Sequence, residues 1–383
     1  MFQPVLLLTP GPTPIHPRAQ DAFHWAMRGH MDPDVFAYND RIVHDLHELY
    51  QTGRRGFTSL LSGTGSLGME AGLANLLEPN DTVLIVSNGV FGDRKIDMAT
   101  RLGANVVPVS FPASSPIDLD KVRQVALEVK PKVIAAVHGE TSTGVMNPVK
   151  HVAEIAKEVG ALMVVDAVTT VGMLEFNMQA WGIDYAYTGS QKCLSAPPGL
   201  APIALSERAI EMIRARKTPV ATWYSDMLGM MRYWEPGEQG RQYHHTIPVH
   251  LHWATGEAIR AALEEGVEAR TARVHTVGSA ALTALETLGF RAFIPESYRL
   301  PTVLAVALPE GVDDGKVRHQ LRHDHAISVT GGLGETAGKI WRLGLMGENA
   351  HAEHYLTLME ALASILDAPH LPRVFEDALA VPA

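Results

Sequence analysis

Residues 161–192 read ALMVVDAVTTVGMLEFNMQAWGIDYAYTGSQK and contain two apolar runs, each followed by an ionisable residue. The run 161–165 predicts a buried strand that ends at Asp166, and 185–187 predicts a second strand that precedes Lys192. In an open parallel sheet, ligands bind beyond the carboxyl ends of the strands. The stretch therefore predicts both a sheet and a binding site at its edge.

Short apolar, β-rich runs and helix-like intervals alternate on both sides of this stretch. Such alternation predicts an α/β fold with a largely parallel sheet that helices cover on both faces. Amphipathic helices are expected at 119–129 and 149–159, the second of which begins after Pro148. Further strands are expected at 82–86, 105–109, 132–137 and 202–205.

A second, smaller α/β unit is predicted toward the C-terminus. The stretch 219–248, which is rich in Trp, Tyr, Met, Gly and His, interrupts the strand–helix rhythm. A long helix-compatible segment, 249–288, follows it, and Gly266 can interrupt that segment. Placing the boundary inside the helical segment divides the chain into a large domain of residues 1–260 and a small C-terminal domain of residues 261–383. Strands of the small domain are expected at 302–308, 326–330 and 339–343.

The composition of the 383 residues is that of an ordinary globular protein, with 46% hydrophobic and 19% charged residues. Acidic residues outnumber basic ones by 42 to 32. The resulting formal charge of -10 is spread along the chain, which argues against a nucleic-acid partner. No segment approaches the ~20 apolar residues that span a bilayer, so no membrane association is expected.

The chain termini and the single cysteine bear on location. Residues 1–12 contain one short apolar run and no basic leader, which is not the pattern of a signal peptide. The C-terminal Val381-Pro382-Ala383 is not a peroxisomal address. Because Cys193 is the one cysteine in the sequence, an internal disulfide framework and a multi-cysteine metal site are excluded. A single cysteine is compatible with a reducing compartment. We therefore expect a cytoplasmic protein.

No metal site is expected, although histidines are frequent in the later part of the chain. Five of them follow no standard zinc spacing. These are His244, His245, His250, His252 and His275.

Four features at strand ends or helix starts resemble parts of a site for pyridoxal phosphate (PLP). Ser62-Gly63-Thr64-Gly65-Ser66 precedes the expected helix 67–77. Small residues let backbone N–H groups approach a phosphate, and a helix N-terminus favours the dianion. An ordinary turn before a helix has the same composition, so this motif alone leaves both interpretations open.

Phe91, in Asn88-Gly89-Val90-Phe91-Gly92, could stack on a pyridine ring or pack in the core.

The two ionisable residues of the stretch 161–192 supply the other two features. Asp166 would pair with the pyridinium nitrogen and keep it protonated, although a carboxylate at a strand end can also cap a helix or bind a metal. Lys192 lies between a predicted buried strand and Pro197-Pro198-Gly199, in a run with almost no other charge. An amine there loses solvation, so its pKa falls and it can form a Schiff base, whereas most loop lysines are solvated surface charges.

Longer motifs extend this pattern over nearly the whole chain, from Thr9-Pro10-Gly11-Pro12 to Arg342-Leu343-Gly344. Between these ends lie His138-Gly139-Glu140-Thr141-Ser142-Thr143-Gly144, Val165-Asp166, Gly189-Ser190-Gln191-Lys192, Ala196-Pro197-Pro198-Gly199, Tyr243-His244-His245-Thr246-Ile247-Pro248 and Gly331-Gly332-Leu333-Gly334. With these motifs the chain resembles the class V aminotransferases, and among them the alanine–glyoxylate/serine–pyruvate aminotransferase branch. The resemblance implies the PLP-dependent transferase fold of type I.

The resemblance also implies a role for each matching residue at the cofactor. Lys192 would carry PLP as a Schiff base, Asp166 would contact the pyridine nitrogen, and Phe91 would stack on the ring. Thr141 would lie near the ring 3-hydroxyl. Ligands from two subunits would hold the phosphate, which implies a homodimer with shared active sites. They would be Thr64, Gly65, Ser66 and Gln191 from one subunit and Tyr243 and Thr246 from the other.

Two further residues are expected at the substrate. Arg342 would bind the α-carboxylate, since a planar guanidinium suits bidentate binding, although an arginine in a strand could instead form a structural ion pair. Gly11, in the N-terminal Pro10-Gly11-Pro12, would line a small substrate pocket. Three positions differ from the liver-type members of the branch and leave the substrate preference open. They are Phe91 in place of Trp, Thr141 in place of Ser and Ser66 in place of His.

The predicted reaction is ping-pong transamination from a small amino acid, alanine or serine, to a small 2-oxo acid, glyoxylate or pyruvate. Lys192 would serve as both nucleophile and general base. Alternatives on the same fold are a cysteine desulfurase or selenocysteine lyase, which needs a mobile thiolate, whereas Cys193 adjoins the lysine. A phosphonate aminotransferase would need a further cationic site. A PLP-binding protein without activity would not require the lysine.

Overall fold

The computed structural model describes residues 3–238 and 240–380. Residues 1–2 and 381–383, on which the targeting predictions partly depend, lie outside the described residues. Within the two described ranges, no helix is long and apolar enough to cross a membrane.

The described strands form a large sheet, a four-stranded sheet and two small two-stranded sheets. In chain order they are β1 (Leu6–Leu7), β2 (Phe57–Ser62), β3 (Thr82–Ser87), β4 (Asn105–Ser110), β5 (Val133–Val137), β6 (Gly139–Glu140), β7 (Val145–Met146), β8 (Leu162–Asp166), β9 (Tyr185–Tyr187), β10 (Leu200–Leu205), β11 (Arg291–Ala292), β12 (Val303–Ala307), β13 (Ile327–Ser328), β14 (Thr330–Gly331) and β15 (Ile340–Gly344).

Helices cover these sheets and connect the strands. The α-helices are α1 (Pro17–Asp21), α2 (Pro33–Tyr50), α3 (Gly65–Leu76), α4 (Val90–Arg101), α5 (Leu119–Val129), α6 (Val149–Val159), α7 (Met178–Trp181), α8 (Glu207–Arg214), α9 (Met227–Trp234), α10 (Val249–Glu265), α11 (Val267–Thr287), α12 (Asp314–Asp324), α13 (Ala352–Ile365) and α14 (Leu371–Leu379). Short 3-10 helices lie at Ala22–His24, Trp223–Ser225, Glu296–Tyr298, Gly334–Thr336 and Gly347–Ala350.

The large sheet has seven strands in the order β2-β10-β9-β8-β5-β3-β4. Strand β10 runs antiparallel to both of its neighbours, and the other neighbouring strands run parallel, so six strands point the same way. The strands predicted from the sequence are confirmed to within two residues at each end. Strand β2 was not predicted, because its buried polar residues Thr58 and Ser59 break the apolar run.

The smaller sheet, in the order β11-β12-β15-β14, forms a second unit and carries Arg342 in the middle of β15. Strand β1 pairs in parallel with β13, so the N-terminal segment packs with this second unit. Helices α10 and α11 meet at Gly266, whose φ of +84° lies in the left-handed region that favours glycine. The predicted interruption of the long helical segment is thus confirmed.

Buried apolar side chains form two clusters, one around each of these sheets. Tyr187 packs in the first cluster, whereas Cys193 packs in the second. Lys192 therefore lies where the two units meet. The last member of the first cluster along the chain is Ala262. The predicted domain division after residue 260 is compatible with this packing and stays a prediction.

Candidate active site

The carboxyl ends of the parallel strands bring separate motifs together at one edge of the large sheet. Asp166 is the last residue of β8, and Lys192 follows β9 after a short turn. Strand β2 leads into Thr64 at the start of α3, and β3 leads through Gly89 into α4. Because these strands point the same way, the residues that follow them share one edge.

The Lys192 amine lies against the N-terminal segment. Its Nζ donates a hydrogen bond to the Pro10 carbonyl oxygen at 2.5 Å. Gly11 lies so close that a Cβ there would collide with the Lys192 side chain, and its φ of +98° also favours glycine. Burial lowers the pKa of Lys192 to about 8, and the positive charges of Arg342 and Arg94 act in the same direction. Such an amine is more often unprotonated, and hence nucleophilic, than a solvated lysine.

Asp166 is a buried carboxylate with two hydrogen-bond donors. Its Oδ2 accepts a hydrogen bond from the Tyr187 hydroxyl at 2.7 Å, and its Oδ1 accepts one from the Val168 N–H at 3.0 Å. The next α-helix along the chain begins only at Met178, so Asp166 is not a helix cap. Asp166 pairs with Tyr187 at the end of β9, the strand that leads to Lys192, so the two groups lie at the same sheet edge. A carboxylate there can hold a proton on a nearby ring nitrogen.

The turn between β2 and α3 is suited to an anion. Thr64 is the N-cap residue of the 12-residue helix α3, and its side chain makes no capping hydrogen bond. Backbone N–H groups in the first turn of a helix attract anions. Glycine at position 65 avoids a tight contact, since a Cβ there would lie 3.3 Å from the Val168 side chain. A phosphate would therefore fit at the start of this helix.

Gln191 adds a polar group beside the same turn. A Cβ on Gly189 would lie 3.0 Å from the Gln191 Oε1 atom. That buried atom has no hydrogen-bond partner among the described residues. Because a Gln amide can present either its oxygen or its NH₂ group, the side chain can donate to a phosphate. An unpartnered buried amide is the feature expected where a ligand supplies the partner.

Arg94 is a residue of this region that the sequence analysis missed. Its Nη1 donates a hydrogen bond to the Ser66 hydroxyl at 3.1 Å, and its Cζ lies 4.9 Å from the centroid of the Phe91 ring. A guanidinium on one face of this ring is compatible with a cofactor ring on the other. Residues three apart share a helix face, so the spacing from Phe91 could have identified Arg94.

Glu140, also missed, links Phe91 to the segment that carries Thr141. Its Oε2 accepts a hydrogen bond from the Phe91 N–H at 3.2 Å, and its Oε1 accepts one from the Ser142 N–H at 3.1 Å. Gly89 leaves room for this carboxylate, because a Cβ at position 89 would collide with it. Glu140 thereby positions Phe91 relative to Thr141.

Arg342 reaches the site from the smaller sheet. Its Nη1 donates to the Thr141 carbonyl oxygen at 3.0 Å, and its Nε donates to the Gly331 carbonyl oxygen at 3.1 Å. These acceptors are backbone oxygens rather than the carboxylate that a structural ion pair requires. A guanidinium has five N–H donors, so others are available to a substrate carboxylate.

Tyr243 and Thr246 lie on an exposed loop. Tyr243 is 60% exposed, and its hydroxyl lies 3.4 Å from the Thr246 hydroxyl. Its ring centroid lies 5.3 Å from that of His30. Within the described chain, none of their hydrogen bonds connects them to the α3 turn or to Gln191. Their predicted role at a cofactor phosphate stays a prediction.

Cys193 cannot serve as the mobile thiolate of a desulfurase in this conformation. Its side chain is fully buried in the second cluster. Burial raises the pKa of the Cys193 thiol to about 12. A protonated, buried thiol is a poor nucleophile.

Each of these groups suits one chemical part of PLP. The α3 turn would bind the phosphate and Phe91 would stack on the ring. Asp166 would pair with the ring nitrogen, and Lys192 would bond to the aldehyde carbon. A metal is not needed to explain the arrangement. Within residues 3–238 and 240–380, no group of three or more His, Cys, Asp or Glu side chains could hold one.

Known proteins resemble the chain over nearly its whole length. A family model described as aminotransferase class-V matches residues 48–347. An alanine–glyoxylate aminotransferase of Callithrix jacchus is 37% identical over 370 residues, which cover 96% of this chain and 88% of that protein. The crystal structure of an alanine–glyoxylate aminotransferase from Nostoc sp. has a TM-score of 0.92 at 41% identity, with 96% of each chain covered. That of a ureidoglycine–glyoxylate aminotransferase from Bacillus subtilis has a TM-score of 0.95 at 35% identity, covering 99% of this chain and 98% of that one.

Proposed function

Since this chain belongs to the class V aminotransferases, which use pyridoxal phosphate, we propose that it transfers the amino group of alanine or serine to glyoxylate or pyruvate in a ping-pong reaction. The family, the fold class and the cofactor predicted from the motifs are confirmed. Alanine as donor and glyoxylate as acceptor are supported by two relatives named alanine–glyoxylate aminotransferases.

The observation that carries the proposal is a desolvated amine beside a carboxylate and an arginine at one sheet edge. The Lys192 amine, with its pKa lowered to about 8 by burial, lies within the electrostatic reach of Asp166 and Arg342. Proton transfer at a carbon next to a carboxylate requires a base and a carboxylate anchor in such an arrangement. Pro10 and Gly11 crowd the amine, which favours small substrates.

Each residue would perform a separate task in the reaction. When bound, PLP supplies a ring that accepts the electrons of the breaking C–H bond. Lys192 would hold the cofactor covalently and, once released by the amino donor, would move the α-proton. Asp166, oriented by the Tyr187 hydroxyl, would keep the ring nitrogen protonated. Arg342 would orient the α-carboxylate.

A matrix of amino donors against 2-oxo acceptors tests the substrates. Purified protein should use alanine or serine with glyoxylate or pyruvate at higher kcat/KM than aspartate, glutamate or an aminophosphonate. A second candidate donor is (S)-ureidoglycine, because the Bacillus subtilis ureidoglycine–glyoxylate aminotransferase superposes with a TM-score of 0.95. Preference for a dicarboxylic or phosphonate donor would contradict the proposal.

We further propose a homodimer with shared active sites, because aromatic and methionine side chains are exposed around the Tyr243 loop. The loop contacts the N-terminal region through His30, and the Trp223 ring stacks on His244 with centroids 4.3 Å apart. A large exposed apolar patch typically marks an interface. In a dimer with a two-fold axis, the Tyr243 loop of each subunit would contribute to the active site of the other. The exposed members are Phe23, Trp25, Met27, Met31, Trp223, Tyr224 and Tyr243.

A cytoplasmic location remains part of the proposal. It is supported by the use of a single, buried cysteine, which fits a reducing compartment. Cell fractionation with an antibody against the protein checks it, and recovery in a membrane or extracellular fraction would contradict it.

A further inference from the structure

Lys95 is a buried lysine on α4 that the proposed reaction does not use. Its side chain is 0% exposed. Its Nζ donates a hydrogen bond to the Ala136 carbonyl oxygen at 2.7 Å and lies 5.9 Å from the centroid of the Tyr187 ring. Burying an ammonium group is costly unless opposite charge and hydrogen bonds compensate. The surroundings of Lys95 must therefore supply that compensation.

Two buried carboxylates of the candidate site act on this ammonium. Asp166 is 3% exposed and Glu140 is 0% exposed. Burial lowers the pKa of Lys95 to about 8, against the opposing effect of both carboxylates. Burial raises the pKa of Glu140, and the charge of Asp166 raises it further, whereas Lys95 lowers it. The two carboxylates thus repel each other, and the Lys95 ammonium attracts both.

Both carboxylates accept hydrogen bonds at both of their oxygens. Asp166 accepts a hydrogen bond from the Tyr187 hydroxyl, whose ring faces the Lys95 ammonium. Glu140 accepts hydrogen bonds from the Phe91 and Ser142 N–H groups. An ionised carboxylate is an acceptor at both oxygens, whereas a protonated one donates at one of them.

We propose that Lys95 is a positioning residue of the active site: its ammonium balances the charge of Asp166 and Glu140, so that the first can hold the cofactor ring nitrogen while the second holds the Phe91 backbone. This inference rests on the proposed function, because that function assigns the ring nitrogen to Asp166. The Lys95 Nζ contacts the Ala136 carbonyl oxygen and lies over the Tyr187 ring, whose hydroxyl donates to Asp166. Glu140 accepts from the N–H of Phe91, one turn earlier on the same helix, and the charges that act on Lys95 are those of Asp166 and Glu140.

The test is a pH titration of the absorbance of the lysine-bound cofactor in the holoenzyme. In Lys95→Met the transition should move to higher pH by about one unit, because removing a nearby cation makes the remaining groups harder to deprotonate. The matched control is Lys157→Met, which removes the same charge from the exposed face of α6. The control should titrate as the wild type does.

A second variant separates charge balance from packing. Lys95→Met/Glu140→Gln removes one positive and one negative charge together, so its transition should return to within about 0.3 pH units of the wild type. A methionine that only repacks the space would show no shift, and a shift that Glu140→Gln does not reverse would contradict charge balance. If the single variant does not fold, recovery of folded holoenzyme in the double variant supports the proposal, and failure of both overturns it.

The outcome for Lys95 can be separated from the outcome for the function. A wild-type protein without a lysine-bound cofactor absorbance would contradict the proposed function itself. An active wild type and a Lys95→Met variant with an unshifted transition would contradict only the role of Lys95.

Discussion

The sheet edge around Lys192 and the exposed loop around Tyr243 differ in how far one chain satisfies their polar groups. At the edge, Lys192, Asp166 and Arg342 each contact a partner from the same chain. In the loop, Tyr243 is 60% exposed, and its hydroxyl lies 3.4 Å from that of Thr246. The three residues of the first region thus have partners within the chain, whereas Tyr243 in the second is largely exposed to solvent.

This difference fits the proposal that the Lys192 edge is built by one chain, whereas the Tyr243 loop packs against a second chain. Strand register and turn geometry position the Lys192 edge without help, because parallel strands end together. A loop outside the sheet has no such support and is more often defined by what packs on it. We therefore propose that one chain carries the chemistry and that a second chain supplies part of the phosphate contact.

The largest effect is expected from Lys192→Ala. Turnover should fall by at least about 10⁴-fold, because the variant lacks both the nucleophile and the base. Circular dichroism should stay unchanged, since the residue lies in a turn at the junction of the two units. Lys157→Ala on the exposed face of α6 serves as the control. In the wild type, borohydride should attach the cofactor to Lys192, and a label found on another lysine would contradict the assignment.

Asp166→Asn should lower the rate by at least about 10²-fold, because it removes the charge that holds the ring-nitrogen proton. The amide keeps the shape and can still accept the Tyr187 hydrogen bond. PLP should stay bound, which absorbance after gel filtration measures. A near-normal rate would mean that Asp166 only orders the turn that follows β8.

Arg342→Lys should raise the KM of donor and acceptor alike by about 10-fold, because an ammonium cannot reproduce the two-pronged contact of a guanidinium. Steady-state kinetics with both substrates measures this, and the cofactor absorbance should not change. Arg322→Lys on α12, outside the site, is the control. Weaker PLP binding without an increase in KM would contradict the assignment of Arg342 to the substrate pocket.

The smallest change in activity is expected from subunit mixing, which tests the proposed role of the Tyr243 loop. Lys192→Ala and the double variant Tyr243→Ala/Thr246→Ala should each be weakly active at most, the second through loss of PLP. If sites are shared, random exchange places one intact site in each heterodimer, and about a quarter of the wild-type activity should return. Mixing Lys192→Ala with a variant that carries all three changes is the control and should recover nothing.

A monomer in sedimentation, or no recovery despite demonstrated subunit exchange, would contradict shared sites. The Tyr243 loop would then be an ordinary surface connection that contributes nothing to an active site.

Most of the sheet could be predicted from the sequence, because hydrophobic periodicity and turn residues act over short distances. The run 161–165 and the strand before Lys192 were located to within a residue or two. Strand β2 could not be predicted, since Thr58 and Ser59 are polar yet buried between neighbours that only the fold supplies.

The candidate site divides in the same way. Asp166, Phe91 and Lys192 stand in motifs that a sequence displays directly, whereas Arg94 and Glu140 were missed because their partners lie on other elements. Arg94 contacts Ser66 from a different helix, 28 positions away. The spacing from Phe91 places Arg94 on the same helix face, but its contact with Ser66 depends on how the helices pack on the sheet, for which the sequence carries no local signal.

The sequence by itself determined which residues end strands, where the helical segment breaks at Gly266 and which lysine lacks charged neighbours, since each depends on residues close along the chain. Only the tertiary structure decided what touches the Lys192 amine and the Arg342 guanidinium. The acceptor of the first, Pro10, lies 182 positions away, and that of the second, Thr141, lies 201 positions away. Contacts over such separations form only when whole elements pack, because their direction and distance are set by the sheet register, the helix packing and the pairing of β1 with β13.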